Sequence, residues 1–207
     1  MDAETLVEEV KEAKQTELER LGSSKSLMAT TNGNLDSETV VESTAEVERA
    51  AVETFSGWAD DEEDETARRL FERIAEQEQE HYDRISAEAD GDGGSIHDYM
   101  RGLDDAPARI GAGLIGRSLV SDATLKQTVG FFVGQSDRKN ADLFRDLREE
   151  TRDMLADGEE ALDEVCGDDE NECWERAREA AEEVIQIAYD DYAETLEGMG
   201  VNPKPVC

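Results

Sequence analysis

The chain has 207 residues, 54 acidic and 21 basic, for a formal net charge of −33. A surface this acidic repels nucleic acid and excludes a role that depends on it. The length suits a single domain over residues 1–207, large enough to bury a core without disulfide support. Hydrophobic residues make up 37% and fall in helical registers, the pattern of a folded rather than a disordered chain.

The basic residues are 15 Arg and 6 Lys, and the acids spread over nearly every predicted helix with no dominant block. This is the surface expected of a salt-adapted protein, whose self-repulsion is screened by molar salt. The start Met1-Asp2-Ala3-Glu4 lacks a basic region followed by an apolar one, so a cytoplasmic protein is expected. The most apolar stretch, Ile110 to Gly134, is interrupted by Arg117, Asp122 and Lys126 and cannot supply a membrane span; a core helix pair is expected there.

With three prolines and no alternating strand pattern, the expected class is all-α. A first helix is predicted over about Asp2 to Leu21, closed by Gly22. Asp36 or Ser37 caps a second, whose stripe reads Val41, Thr44, Glu48, Ala51, Val52, Phe55 and Trp58. After the acidic run Asp60 to Asp64 comes a helix with the stripe Phe71, Ile74, Ala75, Glu78, His81, Tyr82 and Ile85, continuing to about Ala89. The short connection makes these two antiparallel. Asp104 or Asp105 with Pro107 starts an apolar helix, and Ser121 or Asp122 is expected to cap its successor. Within it, Gly111, Gly113 and Gly116 look superficially like a phosphate loop but lack a preceding strand; close helix packing explains them better. Helices over about Asp137 to Val165 and Asn171 to Gly198 follow, then an extended tail, residues 201–207.

The sharpest chemical signal is Glu78-Gln79-Glu80-His81. An E-x-x-H step puts an acid and an imidazole on one helical face, here inside an apolar stripe. A carboxylate so placed costs several kcal/mol, roughly, unless a cation, proton or hydrogen bond compensates it. Glu48 interrupts the preceding stripe in the same way, 30 residues earlier, a spacing that suits two antiparallel helices. Oxygen and imidazole donors of this kind accept iron, manganese or zinc.

The segments from Glu48 to Phe55 and from Phe71 to His81 resemble the ferritin-like superfamily, especially rubrerythrin-type proteins, over about residues 36–90. The resemblance implies a ferritin-like helical bundle with extra helices. It also implies Glu48, Glu78 and His81 as iron ligands in a centre used for dioxygen or peroxide reduction or for iron oxidation. The sequence departs from that pattern. Its other histidine, His97, falls after a glycine loop and is expected to be an exposed loop residue, and the later helices show no obvious buried glutamate, Asp191 being the borderline candidate. Three arrangements are compatible with one half-site: a homodimer sharing a metal site across a two-fold axis, a mononuclear site, or a decayed site in which Glu48 and His81 form a buried pair. In the last case the chain is a non-enzymatic helical scaffold or interaction protein.

Paired C-x-x-C motifs, which a rubredoxin-like iron module requires, do not occur. Cys166 and Cys173 flank a turn that can bring their sulfurs together, although a cytoplasmic setting argues against a permanent disulfide. Cys207 ends the chain and is a candidate reactive thiol. Trp58, Phe71, Phe131, Phe132 and Trp174 are expected core aromatics.

Overall fold

A computed structural model describes residues 1–85, 87, 91–167 and 171–204. The helices are α1 (Ala3–Ala13), α2 (Gln15–Leu21), α3 (Ser26–Thr30), α4 (Ser37–Asp61), α5 (Glu65–Ile85), α6 (Gly94–Arg101), α7 (Ala106–Ile110), a π-helical segment (Gly111–Gly116), α8 (Arg117–Gly134), α9 (Arg138–Cys166) and α10 (Glu172–Gly198). Among the described residues there is no strand and no helix long and apolar enough to cross a membrane.

Helix starts follow side-chain caps. Asp2, Asp36, Asp64, Asp105 and Asp137 each accept a hydrogen bond from the backbone N–H three residues on, satisfying a donor that the first turn leaves open. Two expected boundaries differ. The first helix breaks at Lys14, where φ −109 and ψ 24 leave the helical region. Ser121 and Asp122 do not start a helix: α7, the π segment and α8 run on without interruption. Asp122 is tolerated mid-helix because its carboxylate pairs with Arg148 at 3.0 Å and Arg152 at 2.6 Å, both from α9.

Two antiparallel hairpins, α4 with α5 and α8 with α9, form a four-helix bundle, joined by the long connection that contains α6. One long crossover between two hairpins is the ferritin-like connectivity. Helix α10 packs along α7 and the π segment, where Cβ atoms have no room. A methyl at Gly111 would overlap the Ala177 carbonyl, and one at Gly116 would lie 2.6 Å from the Ala181 carbonyl oxygen. The glycines therefore serve close backbone contact, as their spacing in an apolar helix suggested.

The bundle core is divided. On one side Ala51, Phe55, Phe71, Ile74, Ile115 and Met154 join a large cluster that includes α1 and α10; on the other Val40, Ile85, Leu125, Phe132, Phe144 and Leu147 form a smaller one. The division falls at one level on all four helices, at Glu48, at Glu78 and His81, at Arg117, and at Thr151. The expected core aromatics Trp58, Phe71, Phe132 and Trp174 are buried, while Phe131 is only partly so.

A disulfide joins Cys166 to Cys173 across the α9–α10 turn, with Cα atoms 5.4 Å apart. The residues after α10 carry no helix but are held: Lys25 Nζ donates to the carbonyls of Asn202 at 2.6 Å and Lys204 at 2.9 Å. Cys207 and most of the helix continuation expected up to Ala89 lie outside the described residues; Ala87, which is described, is not helical.

Candidate metal centre

Helix α4 brings Glu48 and α5 brings Glu78 and His81 to a common point, with 6%, 1% and 1% of their surfaces exposed. One ligand atom from each residue lies within 4.8 Å of the others. His81 Nδ1 is 3.6 Å from Glu48 Oε2 and 3.6 Å from Glu78 Oε2. An ion bound at about 2.1 Å with tetrahedral to trigonal angles holds its ligand atoms about 3.4–3.6 Å apart, so the spacing fits a single metal. Glu78 Oε2 is buried and accepts no hydrogen bond, an orphan that an ion would satisfy.

The third helix supplies something the sequence did not announce. Arg117, 4% exposed, donates from Nη1 to Glu78 Oε1 at 2.6 Å, and its Nη2 lies 3.7 Å from Glu48 Oε2. Its guanidinium sits 5.8 Å from the centre of the Phe55 ring, a cation–π distance. It occupies the α8 side of the layer, where a di-metal carboxylate bundle has a glutamate. On α9 the buried neighbours are Leu147 and Thr151. Glu150, at the edge, brings Oε2 within 2.8 Å of His81 Nε2, off the direction of a hydrogen bond, while both its oxygens accept from Arg84. The residues fit one ion and not the pair: a fixed cation fills the second half-site.

Charge explains the titration behaviour. Burial and the neighbouring Glu78 push Glu48 up to about 7. Burial acts on Glu78 in the same direction, but Arg117 overrides it and holds this carboxyl well below the usual range. His81, despite its burial, is raised to about 10 by the carboxylates of Glu48 and Glu78 that face its Nδ1 at 3.6 Å. Two acids and one arginine leave the layer short of one positive charge. A proton on His81 or Glu48 supplies it, and so does a metal ion.

Of the residues singled out in the sequence, Glu48, Glu78 and His81 converge. His97 and Asp191 stay apart from them. His97 is a correction: it is 1% exposed inside α6, not a loop residue, because Gly93 in the left-handed region, with φ +81, folds the chain back and turns the imidazole into the bundle. Asp191 is exposed and accepts from Ser95 at 3.2 Å. Arg117 was visible as a charge inside an apolar stretch; the missing step was to match that lone cation to the two misplaced acids.

The fold and the site together define an all-α, ferritin-like bundle with one carboxylate–histidine half-site. Residues 3–89 match the rubrerythrin family model, a stretch that includes the two helices carrying this half-site. The match stops before α8 and α9, where Arg117 and Thr151 depart from the di-metal pattern. No curated protein and no solved structure matches the chain.

Proposed function

We propose that the chain binds a single divalent metal ion, iron in the first place, through Glu48, Glu78 and His81, with manganese or zinc as the other candidates. The observation that carries this reading is the orphaned, fully buried Glu78 Oε2 at 3.6 Å from His81 Nδ1. Charge supports it as well: beside Arg117 alone, the buried pair Glu48 and Glu78 lacks positive charge, which a bound cation supplies. Bound iron would supply one-electron chemistry toward dioxygen or peroxide. The protein's own parts have separable tasks. Glu78 is held ionised and oriented by Arg117; Glu48 is the acid that gains or gives up a proton near neutrality; His81 fixes the ligand geometry. Glu48 also borders a cavity of about 70 Å³ beside Thr44, Thr124 and Thr128, an approach for a small oxidant.

We take the site as built within one chain, because α4, α5 and α8 of that chain supply its buried residues Glu48, Glu78, His81 and Arg117. The acidic surface we take as adaptation to high salt; urea-unfolding midpoints that rise from dilute to molar KCl support this, and a flat response counts against it. Elemental analysis of protein purified in high salt tests the metal reading. Up to one ion per chain, lost in Glu78→Ala, is expected. Two ions per chain overturn the single-ion reading, and none after anaerobic loading with iron(II) overturns metal binding. A second reading rests on the Arg117–Glu78 pair: protonated His81 and Arg117 neutralise both acids without an ion, leaving a metal-free scaffold.

A further inference from the structure

A cavity of about 250 Å³ opens between α3, α4, α6, α8 and α10. Its walls are mainly apolar, with Leu21, Ala29, Val120 and Ala188 inside and Val47, 37% exposed, at the rim. Three buried polar residues line it, Ser26, His97 and Arg117, at 1%, 1% and 4% exposure. His97 takes no part in the ion cluster, and Arg117 faces that cluster only with its terminal nitrogens.

The hydrogen bonds fix what each presents. Thr54 Oγ1 donates to the Ala50 carbonyl at 2.8 Å and has no second proton, so at its 3.0 Å contact with His97 Nδ1 the threonine accepts and Nδ1 carries the hydrogen. Burial, aided by the charge of Arg117, keeps His97 neutral, down to about 3. Nε2 is then a bare acceptor, and no described residue hydrogen-bonds it. Arg117 Nε–H is a buried donor without a partner. This unpartnered donor and this free acceptor, in walls that are otherwise apolar apart from hydroxyl side chains such as Ser26 and Thr124, are the polar complement of a single hydroxyl group. An anion is disfavoured, because Glu78 and Glu48 already take up the Arg117 charge, Asp191 lines the rim and the chain carries a net −33.

We infer that this cavity binds a small, neutral, mainly apolar alcohol or phenol, its hydroxyl donating to His97 Nε2 and accepting from Arg117 Nε. The inference does not require an ion in the cluster, so its test uses the full chain treated with chelator, in molar KCl, with phenol as the probe. Phenol is expected to saturate with a Kd of about 1 mM or tighter and to shift the His97 Nε2 nitrogen resonance. Toluene, of the same shape without the hydroxyl, is expected to bind at least about tenfold more weakly. Ala188→Leu, which fills the wall, is expected to weaken phenol at least about tenfold. Val47→Phe, at the exposed rim, narrows the mouth without touching the core and serves if the first variant does not fold. Absence of saturation by about 50 mM phenol, well above the expected Kd, equal affinity for toluene, or undiminished binding in the folded cavity variant overturns the inference.

Discussion

Removing the cation from the polar layer is the most direct way to probe it. In Arg117→Leu, Glu78 loses its partner at 2.6 Å while staying 1% exposed. It then either remains ionised without compensation or takes up a proton. From the ordinary value of 4.5, protonation at pH 7 costs about 3.4 kcal/mol at 1.36 kcal/mol per unit, which caps the charge penalty. Loss of the contact with Phe55 adds about 1 kcal/mol. The total, about 3–4 kcal/mol, lies in the range measured when one partner of a buried pair is removed, and it is a large share of a domain's stability. Urea unfolding followed by far-UV circular dichroism, at constant molar KCl and with chelator, measures it. Because Glu78 is held low in the native chain, its contribution is present above about pH 4.5 and is lost below; the penalty in the variant is therefore expected to shrink as pH falls from 7 to 4.5. Saturating iron(II) restores a positive charge beside Glu78 and is expected to recover part of the loss, about 2.7 kcal/mol at a hundredfold excess over Kd. A loss under about 1 kcal/mol in the metal-free protein would falsify the charge-balance argument.

Gly111→Ala gains about 1 kcal/mol of helix propensity but drives a methyl into the Ala177 carbonyl, so a net fall in Tm of about 2–8 °C is expected. Gly130→Ala, with nothing within 4 Å, is the control and is expected to stabilise by up to about 1 kcal/mol; equal behaviour of the two variants contradicts the packing account. Cys166→Ala opens a loop with ends 7 positions apart and is expected to cost about 2.5 kcal/mol in urea unfolding, with reductant giving the native chain a similar loss. His97, ordinarily near 6.5 and held at about 3, contributes stability above pH 6.5 that is lost as pH falls toward 3, by up to about 4 kcal/mol. An NMR titration should find its ring neutral at pH 5 in the folded chain, and a midpoint near 6.5 contradicts the buried placement.

The sequence made local structure and one half of the site legible. The Asp36 cap, the two acid-interrupted stripes and the E-x-x-H step depend on spacing within single helices, and α4 and α5 carry them as expected. What stayed hidden depends on contacts between distant segments. Arg117 meets Glu78 across 39 positions, and Asp122 survives inside a helix only because Arg148 and Arg152 arrive from α9. His97 was misjudged for a local reason: glycines on its N-terminal side suggested a loop, whereas Gly93 provides the turn into α6. The Cys166–Cys173 bond went against an argument from compartment, which carries no geometric information about a seven-residue separation.

The polar layer also acts as a depth gauge for the bundle. Apolar side chains at helical spacing interlock nearly as well after one helix slides past its neighbours by a turn, about 5.4 Å. Here such a slip in α8 would carry Arg117 away from Glu78 and strand both charges among side chains such as Phe55 and Ile115 or Leu125 and Phe132. Only one set of axial positions brings opposite charges level on α4, α5 and α8. The acids thus select the register of the helices whether or not an ion sits among them, and a variant with an all-leucine layer is expected to lose that single alignment before it loses its helices.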